Sequence, residues 1–146
     1  SQGKQFGKAG QLCSKPVGLI DLYPTMLQMC GLPAKKSNQG DSLVPLLKNP
    51  SANWRFSTLT TYARGNHTLR SERYRYLRFE DGSEELYDHA EDPNEWTNLA
   101  TRLKYAKLLK QFRKELPAKE APYHPSVRSG AVNAWFEEHL RRHGVK

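Results

Sequence analysis

Cysteine is scarce in this sequence, since Cys13 and Cys30 are the only two among 146 residues. Two cysteines form at most one bridge, which excludes a fold held together by several disulfides. One bridge and two free thiols both remain open. We expect free thiols, because Cys30 falls on the apolar stripe of a predicted helix, where a free cysteine behaves as a small hydrophobic residue.

Long hydrophobic runs are also missing. No stretch approaches the roughly 18 apolar residues of a membrane span, so the sequence predicts no transmembrane helix. Ser1–Gly10 has no apolar stretch and shows no signal peptide. Because the chain does not begin with methionine, we expect it to be cut from a longer polypeptide. The absence of a visible signal peptide in this sequence therefore does not indicate where the protein is located.

Acidic residues are in deficit. The sequence has 23 lysines and arginines against 15 aspartates and glutamates, which gives a formal net charge of +8. This balance favours acidic partners, namely nucleic acid, an anionic membrane, or a sulfated or carboxylated glycan, without choosing among them. Hydrophobic residues make up 37% of the chain and charged residues 26%, so the chain is polar but does not have the composition of a disordered protein. Its length of 146 residues corresponds to about one domain.

The sequence does contain a strong hairpin pattern within His67–Ala100, which predicts three short strands joined by tight turns. Tyr74–Phe79 carries three aromatic residues, which favour a pleated, half-buried surface. Asp81-Gly82 predicts a hairpin turn, because glycine tolerates the positive φ that such turns require. Leu86-Tyr87 belongs to the returning strand, and Phe56–Tyr62 is a further predicted strand.

Apolar residues at helical spacing predict a helix over residues 21–31. This helix is too apolar for so small a protein, so we expect it to pack against a larger body. If that body is absent from this chain, Leu22, Met26 and Leu27 should be exposed and form the kind of apolar patch that marks a lost partner.

Other segments predict shorter or less regular elements. Val17–Ile20 is compatible with the end of a strand, and Asp21 is a candidate N-cap of the following helix. A short helical turn is predicted over 42–48 and an amphipathic helix over 101–115. Residues 117–146 are predicted to form a linker and a short basic amphipathic helix.

Two sets of motifs carry a resemblance to a known family. The first set is Val17–Leu27, Cys30–Pro33, Gly40–Leu43 and Pro45–Leu47, and the second is Leu69–Tyr76, Glu85–Asp88, Asp92-Pro93, Glu95 and Asn98–Ala100. In this order they resemble the late part of the large domain and the C-terminal subdomain of sulfatases. The similarity is greatest to the bacterial iduronate-2-sulfatase-like group and covers about residues 11–113.

The resemblance implies an α+β fold in which a small antiparallel β-sheet of three or four strands packs with helices. This is the C-terminal subdomain of an alkaline-phosphatase-like α/β fold. Residues 1–50 would be the end of the large domain and residues 51–116 the C-terminal subdomain, whereas 117–146 lie outside the resemblance. The implied function is that of the C-terminal part of a sulfuric ester hydrolase acting on a sulfated carbohydrate, in a periplasmic or extracellular location.

The chemistry that the resemblance implies is not found in this chain. Sulfatases use a formylglycine made from a Cys/Ser-x-Pro-x-Arg motif, together with a calcium ion held by carboxylates and an amide. Neither Cys13 nor Cys30 fits that motif. We therefore predict no catalytic or metal-binding residue and no turnover by this chain alone. Calcium, formylglycine and a missing N-terminal catalytic domain are expected in the full enzyme, whose substrate would be a sulfated small molecule or glycan.

The candidate substrate contacts are Arg64, Asn66 and His67, at a turn that enters the predicted sheet. Turns on rigid scaffolds often carry binding groups, and in a whole sulfatase this turn could border the substrate mouth. The alternative is a plain hairpin turn with a structural asparagine and a histidine at the strand edge.

Arginines interleaved with tyrosines offer an alternative function, a freestanding basic module that binds a polyanion such as a glycosaminoglycan or nucleic acid. The arginines are Arg70, Arg73, Arg75 and Arg78. Nearby glutamates would repel phosphate, so nucleic acid is the weaker candidate.

The remaining histidines and tryptophans predict no further site. His139 and His143 lack a third metal ligand nearby in sequence, and His89 is expected in solvent. Trp96 and Trp135 are expected to anchor a core or an interface.

Overall fold

The computed structural model describes residue 7, residues 10–122 and residue 142. The helices in this part of the chain are α1 (Leu22–Met29), α2 (Val44–Lys48) and α3 (Ala106–Glu115), and the strands are β1 (Ser57–Thr61), β2 (His67–Ser71), β3 (Tyr74–Arg78) and β4 (Glu84–Asp88). Short 3-10 turns, Leu19–Asp21 and Leu103–Tyr105, precede α1 and α3. Within residues 117–146, which are predicted to form a linker and a basic helix, only residues 117–122 and residue 142 are described, so Trp135, His139 and His143 lie outside the described residues.

The four strands form one antiparallel sheet in the order β1-β2-β3-β4. Each strand therefore pairs with its neighbour along the chain through a tight turn. Between β3 and β4, Gly82 has φ +85°, and the Asp81 carboxylate accepts hydrogen bonds from the N–H and hydroxyl of Ser83 at 2.8 and 2.6 Å. The predicted hairpin at Asp81-Gly82 is confirmed, and so is the α+β class with a small antiparallel sheet.

The core lies between the sheet and α3. The strand register aligns Leu69, Tyr76 and Leu86 across β2, β3 and β4, and all three are almost fully buried. Helix α3 covers this face with Leu109 and Phe112. The rings of Tyr76 and Phe112 stack with their centroids 5.3 Å apart. Burial of these large side chains is the main term that holds the sheet and the helix together.

A polar cluster joins α3 to β4 beside this core. Glu84 accepts a hydrogen bond from the Tyr76 hydroxyl at 2.5 Å and forms an ion pair with Arg113 of α3. The hydrogen bond from Arg113 lowers the pKa of Glu84, whereas burial and the nearby carboxylate raise the pKa of Tyr76 to about 12. Glu84 is therefore ionised and Tyr76 protonated at neutral pH, which keeps both hydrogen bonds in place.

One prediction about the entry to α1 is wrong and another is confirmed in position only. Val17–Ile20 does not end a strand, because Leu19–Asp21 forms a 3-10 turn. Asp21 is the N-cap residue of α1, as predicted, but its side chain makes no capping hydrogen bond, and its Oδ2 instead accepts the N–H of Gly18 at 2.8 Å. The reason is a distant partner, since Arg55 draws the Asp21 carboxylate away from the helix end at a distance of 2.6 Å.

Other side chains also lie in surroundings that the sequence did not predict. Trp96 is 84% exposed, so it does not anchor a core within the described residues, and its role as an interface anchor stays a prediction. His89 is half-buried rather than solvated, with its Nε2 2.5 Å from Glu95 Oε1. Cys13 and Cys30 are both free, as expected, but both are exposed, so Cys30 does not fill an apolar site within the described residues.

Candidate functional site

The turn between β1 and β2 carries the predicted substrate contacts Arg64, Asn66 and His67. Gly65 in this turn has φ +77°, and a Cβ at that position would lie 2.8 Å from the Cβ of Glu80. Glycine is therefore needed both for its backbone conformation and for the close approach to the segment after β3. The turn is packed in place rather than projecting freely.

His67 is buried at the start of β2, and both of its ring nitrogens have partners. Nδ1 lies 3.0 Å from Thr61 Oγ1, and Nε2 lies 3.1 Å from Glu120 Oε1. Glu120 also accepts the N–H of Gly65 at 2.7 Å, and the contacts with His67 and Gly65 lower the pKa of Glu120. Sequence reasoning missed Glu120, because it stands 53 residues after His67 in a segment with the composition of a linker.

Asn66 and Arg64 differ in what they offer to a ligand. The Asn66 Oδ1 accepts the N–H of Glu80 at 3.3 Å, and its Nδ2 donates to the Arg64 carbonyl at 3.0 Å. An open depression of about 620 Å³ is lined by Asn66, Phe79, Glu80, Asp81 and Ser83. The Arg64 side chain is 52% exposed, with its Nε 3.9 Å from Glu120. Arg64 thus keeps an accessible positive charge, whereas Asn66 and His67 hold the turn in shape.

Helix α1 exposes several of its apolar side chains and buries the polar Thr25. Leu22 and Met26, one turn apart, are 52% and 57% exposed. Thr25 is 5% exposed, and its hydroxyl accepts the N–H of Leu43 at 2.8 Å. The expected exposure is therefore confirmed for Leu22 and Met26, whereas Leu27 is half-buried. A helix in this orientation has no covering layer among the described residues.

Exposed apolar side chains continue on both sides of α1. We call this set the apolar face, and it consists of Val17, Leu19, Ile20, Leu22, Tyr23, Met26, Met29 and Leu32. Single exposed apolar residues are ordinary, but a concentration of this size within 16 residues is typical of a surface that another protein body covers.

Asp21 connects the segment that carries the apolar face to Arg55, next to the sheet. Its carboxylate is fully buried and accepts hydrogen bonds from the N–H of Gly18 at 2.8 Å, the N–H of Asp41 at 3.0 Å and Arg55 Nη2 at 2.6 Å. Burial alone would raise the pKa of Asp21, but these three bonds outweigh it and the pKa lies below its ordinary value. Because Arg55 stands two residues before β1, this ion pair links the start of α1 to the start of the sheet.

Two arginines in or next to the sheet form ion pairs with carboxylates. Arg73 donates two hydrogen bonds to Asp88 at 2.7 and 2.6 Å, and Arg75 donates one to Glu95 at 2.8 Å. Arg70 differs, because its Nη1 is buried without a hydrogen-bond partner in the described part of the chain. Pairing with carboxylates leaves these two guanidinium groups less available to a polyanion.

The described residues include no group of three or more histidine, cysteine, aspartate or glutamate side chains that could hold a metal ion. None of the helices between residues 10 and 122 is long and apolar enough to cross a membrane.

Comparison with known proteins places this chain among sulfatases. A family model described as N-sulphoglucosamine sulphohydrolase, C-terminal, matches residues 5–121. A sulfatase from Formosa agariphila is 36% identical over 114 residues, which cover 78% of this chain and 22% of that protein. Arylsulfatase K from Homo sapiens is 33% identical over 110 residues, which cover 65% of this chain and 20% of that protein. The chain thus spans about a fifth of the length of these curated relatives.

Solved structures share the fold. A protein in complex with its substrate D-glucosamine-2-N,6-O-disulfate has a TM-score of 0.55 at 26% identity, covering 64% of this chain and 22% of that chain. The phosphonate monoester hydrolase of Agrobacterium radiobacter has a TM-score of 0.51 at 27% identity, covering 64% of this chain and 23% of that chain. The resemblance first seen in the motifs is thereby confirmed, and the chain belongs to the family of sulfatase C-terminal domains in the alkaline-phosphatase-like superfamily.

Proposed function

We propose that this chain is the C-terminal part of a sulfatase that hydrolyses sulfate esters of a sulfated carbohydrate. The family match over residues 5–121 carries the proposal. The sulfatase from Formosa agariphila and the neighbour with a disulfated glucosamine as substrate support a sulfated sugar as the substrate class. The freestanding polyanion-binding module is not favoured, because Arg73 and Arg75, two of its four arginines, are already paired with carboxylates.

A missing N-terminal catalytic domain completes this proposal. Residues 1–50 would belong to the large domain and residues 51–116 to the C-terminal subdomain. The greater length of the relatives supports such a domain, and so does the outward apolar side of α1. In the full protein the catalytic domain would cover the apolar face and supply calcium and formylglycine, while this chain would supply scaffold and one wall of the substrate pocket.

Within that wall, the β1–β2 turn would border the substrate mouth. Arg64 would contact an acidic group of the sugar, because its guanidinium is exposed and only distantly paired. Asn66 would line the adjoining depression, and His67 would act as a positioning residue through Glu120. Glu80 and Asp81 on the far side of the depression would repel a sulfate group, which leaves Arg64 as the site of anion contact.

A chimera tests the proposed function. The segment of the Formosa agariphila sulfatase that aligns with this chain is replaced by this chain, and release of sulfate is measured on the substrates of the native Formosa enzyme. We expect the chimera to release sulfate, and we expect neither this chain alone nor the Formosa protein truncated before the segment to do so. A chimera that unfolds cooperatively but hydrolyses no sulfate ester would contradict the proposal, as would turnover by this chain alone.

Substitution of Arg64 tests whether the β1–β2 turn contacts the substrate. In the chimera, Arg64→Ala is expected to raise KM for a sulfated sugar about tenfold with little change in kcat. The reason is that a charge-assisted hydrogen bond made equally in the ground and transition states contributes uniform binding. Arg102→Ala is the matched control, since Arg102 is also exposed but does not line the depression. Equal KM values for the two variants would show that Arg64 does not contact the substrate.

A further inference from the structure

Positive charge is concentrated around α3. The segment Arg102–Glu115, which comprises α3, the 3-10 turn before it and one preceding residue, contains six of the 23 lysines and arginines and one of the 15 aspartates and glutamates. Its net charge of +5 is more than half of the +8 of the whole chain. About a tenth of the sequence therefore carries most of the excess positive charge.

Three lysines share one exposed side of α3. Lys107, Lys110 and Lys114 stand at positions i, i+3 and i+7, a spacing that places them on the same side of a helix, and all three are exposed. We call these three lysines the basic face. No carboxylate pairs with any of them within the described residues. The apolar side of α3, with Leu109 and Phe112, is buried against the sheet, so the basic face is the side that remains available to a partner.

The basic face lowers the stability of the helix that carries it. Lys107 and Lys110 stand three residues apart, and Lys110 and Lys114 four residues apart, and like charges at these spacings destabilise a helix. The first turn of α3 has no acidic residue, and Lys107 there opposes the helix dipole. A cost without a compensating contact in the described chain favours an external anion as the partner.

The basic face lies on an element that continues to the predicted substrate contact Arg64. Lys114 stands six residues before Glu120, which is at most about 22 Å of fully extended chain. Glu120 accepts the N–H of Gly65 at 2.7 Å, so the segment after α3 reaches the β1–β2 turn. Lys119, the residue before Glu120, is exposed as well. Exposed positive side chains therefore occur along the path from α3 to Arg64.

We propose that the basic face is an exosite, a binding surface outside the catalytic pocket, that holds a sulfated polysaccharide chain. This inference rests on the proposed function and deepens it by making the substrate polymeric, with one sulfated sugar at the β1–β2 turn and further sulfate groups on α3. A lysine ammonium is a flexible point charge with three donors, which suits sulfate groups at variable spacing. Several weak contacts along one chain add up to a stronger attachment.

A membrane surface is the less favoured partner for the same lysines. A helix that lies in a membrane interface inserts its apolar side into lipid. In α3 that side is part of the core, with Phe112 stacked on Tyr76. The basic face therefore offers charge alone, which matches a soluble polyanion whose sulfate groups continue toward the substrate mouth.

Binding of heparin, a sulfated polysaccharide, to the chimera tests the basic face. The triple variant Lys107→Gln, Lys110→Gln, Lys114→Gln is expected to weaken binding about tenfold at low salt, because three exposed ion contacts are lost. The slope of log Kd against log salt concentration should become smaller by about 2, since each lost contact no longer releases counterions. The urea midpoint of this variant should be unchanged or higher, because repulsion along α3 is relieved.

A second triple variant is the matched control. Lys35→Gln, Lys36→Gln, Lys48→Gln removes the same net charge from three other exposed positions. It is expected to change the affinity for heparin less than twofold and to leave the salt slope as in the parent. Equal weakening by the two triple variants would overturn the inference, since only net charge would then matter.

The remaining outcomes separate the partner and the proposed function. Tighter binding of duplex DNA or of anionic lipid vesicles than of heparin, at the same salt concentration, would overturn the assignment to a sulfated glycan. An active chimera whose affinity for heparin is the same with and without the three lysines of the basic face overturns the inference alone. A folded chimera without sulfatase activity counts against the proposed function, and its heparin binding still decides whether the basic face is a site.

Discussion

Truncation of Phe112 to alanine is expected to lower the free energy of unfolding by about 3–5 kcal/mol. Phe112 is fully buried, and its ring lies 5.3 Å from that of Tyr76 and 5.0 Å from that of Phe56, centroid to centroid. Alanine would leave a cavity between α3 and the sheet that these two rings cannot fill. Because small domains are stable by only about 5–15 kcal/mol in total, the loss would be a large fraction of the stability.

Urea denaturation followed by far-UV circular dichroism measures this effect. Leu103→Ala is the matched control, because Leu103 is an apolar residue that is 92% exposed just before α3. Its substitution should change the free energy of unfolding by no more than about 0.5 kcal/mol. If Phe112→Ala cost as little as Leu103→Ala, α3 would not pack on the sheet as described.

Replacement of Asp21 by asparagine is expected to cost about 3 kcal/mol, since breaking a buried ion pair leaves its partner uncompensated. Asp21 is fully buried, and Arg55 retains 23% side-chain exposure, which places the effect at the lower end of the range for such pairs. The loss should be local as well as global. Amide hydrogen exchange should become faster between Gly18 and Asp41, whose N–H groups both donate to the Asp21 carboxylate.

Asp41→Asn is the control for this substitution. The Asp41 carboxylate also approaches Arg55, at 3.3 Å, but its side chain is 68% exposed. An exposed ion pair contributes little, so Asp41→Asn should cost less than about 1 kcal/mol. If both variants lost the same stability, the buried position of Asp21 would not be what holds this segment.

The pH dependence of stability gives a second measurement on Asp21. Its pKa is lower in the folded chain than its ordinary value, despite burial, because Gly18, Arg55 and Asp41 donate hydrogen bonds to the ionised form. The resulting stability is fully present above the ordinary aspartate pKa and is lost as the pH falls through the lowered value. Asp21→Asn should therefore reduce the acid dependence of the free energy of unfolding, and an unchanged dependence would contradict the assignment.

Local features of the fold could be predicted from the sequence, because each depends on residues close together in the chain. Asp81-Gly82 predicts its hairpin through the φ that glycine allows, and the aromatic run within Tyr74–Phe79 predicts β3. The family could be predicted as well, since its motifs are short and keep their order along the chain.

Burial was harder to predict, because alternation gives two faces without saying which one is covered. Tyr74–Phe79 offers a face with Tyr76 and a face with Leu77, and only the position of α3 shows that Tyr76 enters the core. The same holds for α1. The spacing of its apolar residues predicts the helix, but no local pattern predicts that Thr25 is the residue buried against the rest of the chain.

The sequence by itself determined the elements, their order, the turn residues and the family, since local backbone preferences and short motifs fix all of these. Only the tertiary structure decided the partners of Asp21 and His67. Arg55 stands 34 residues after Asp21, and Glu120 stands 53 residues after His67. Ion pairs and hydrogen bonds act over a few ångströms in space, so separation along the chain carries no signal of which charges will meet.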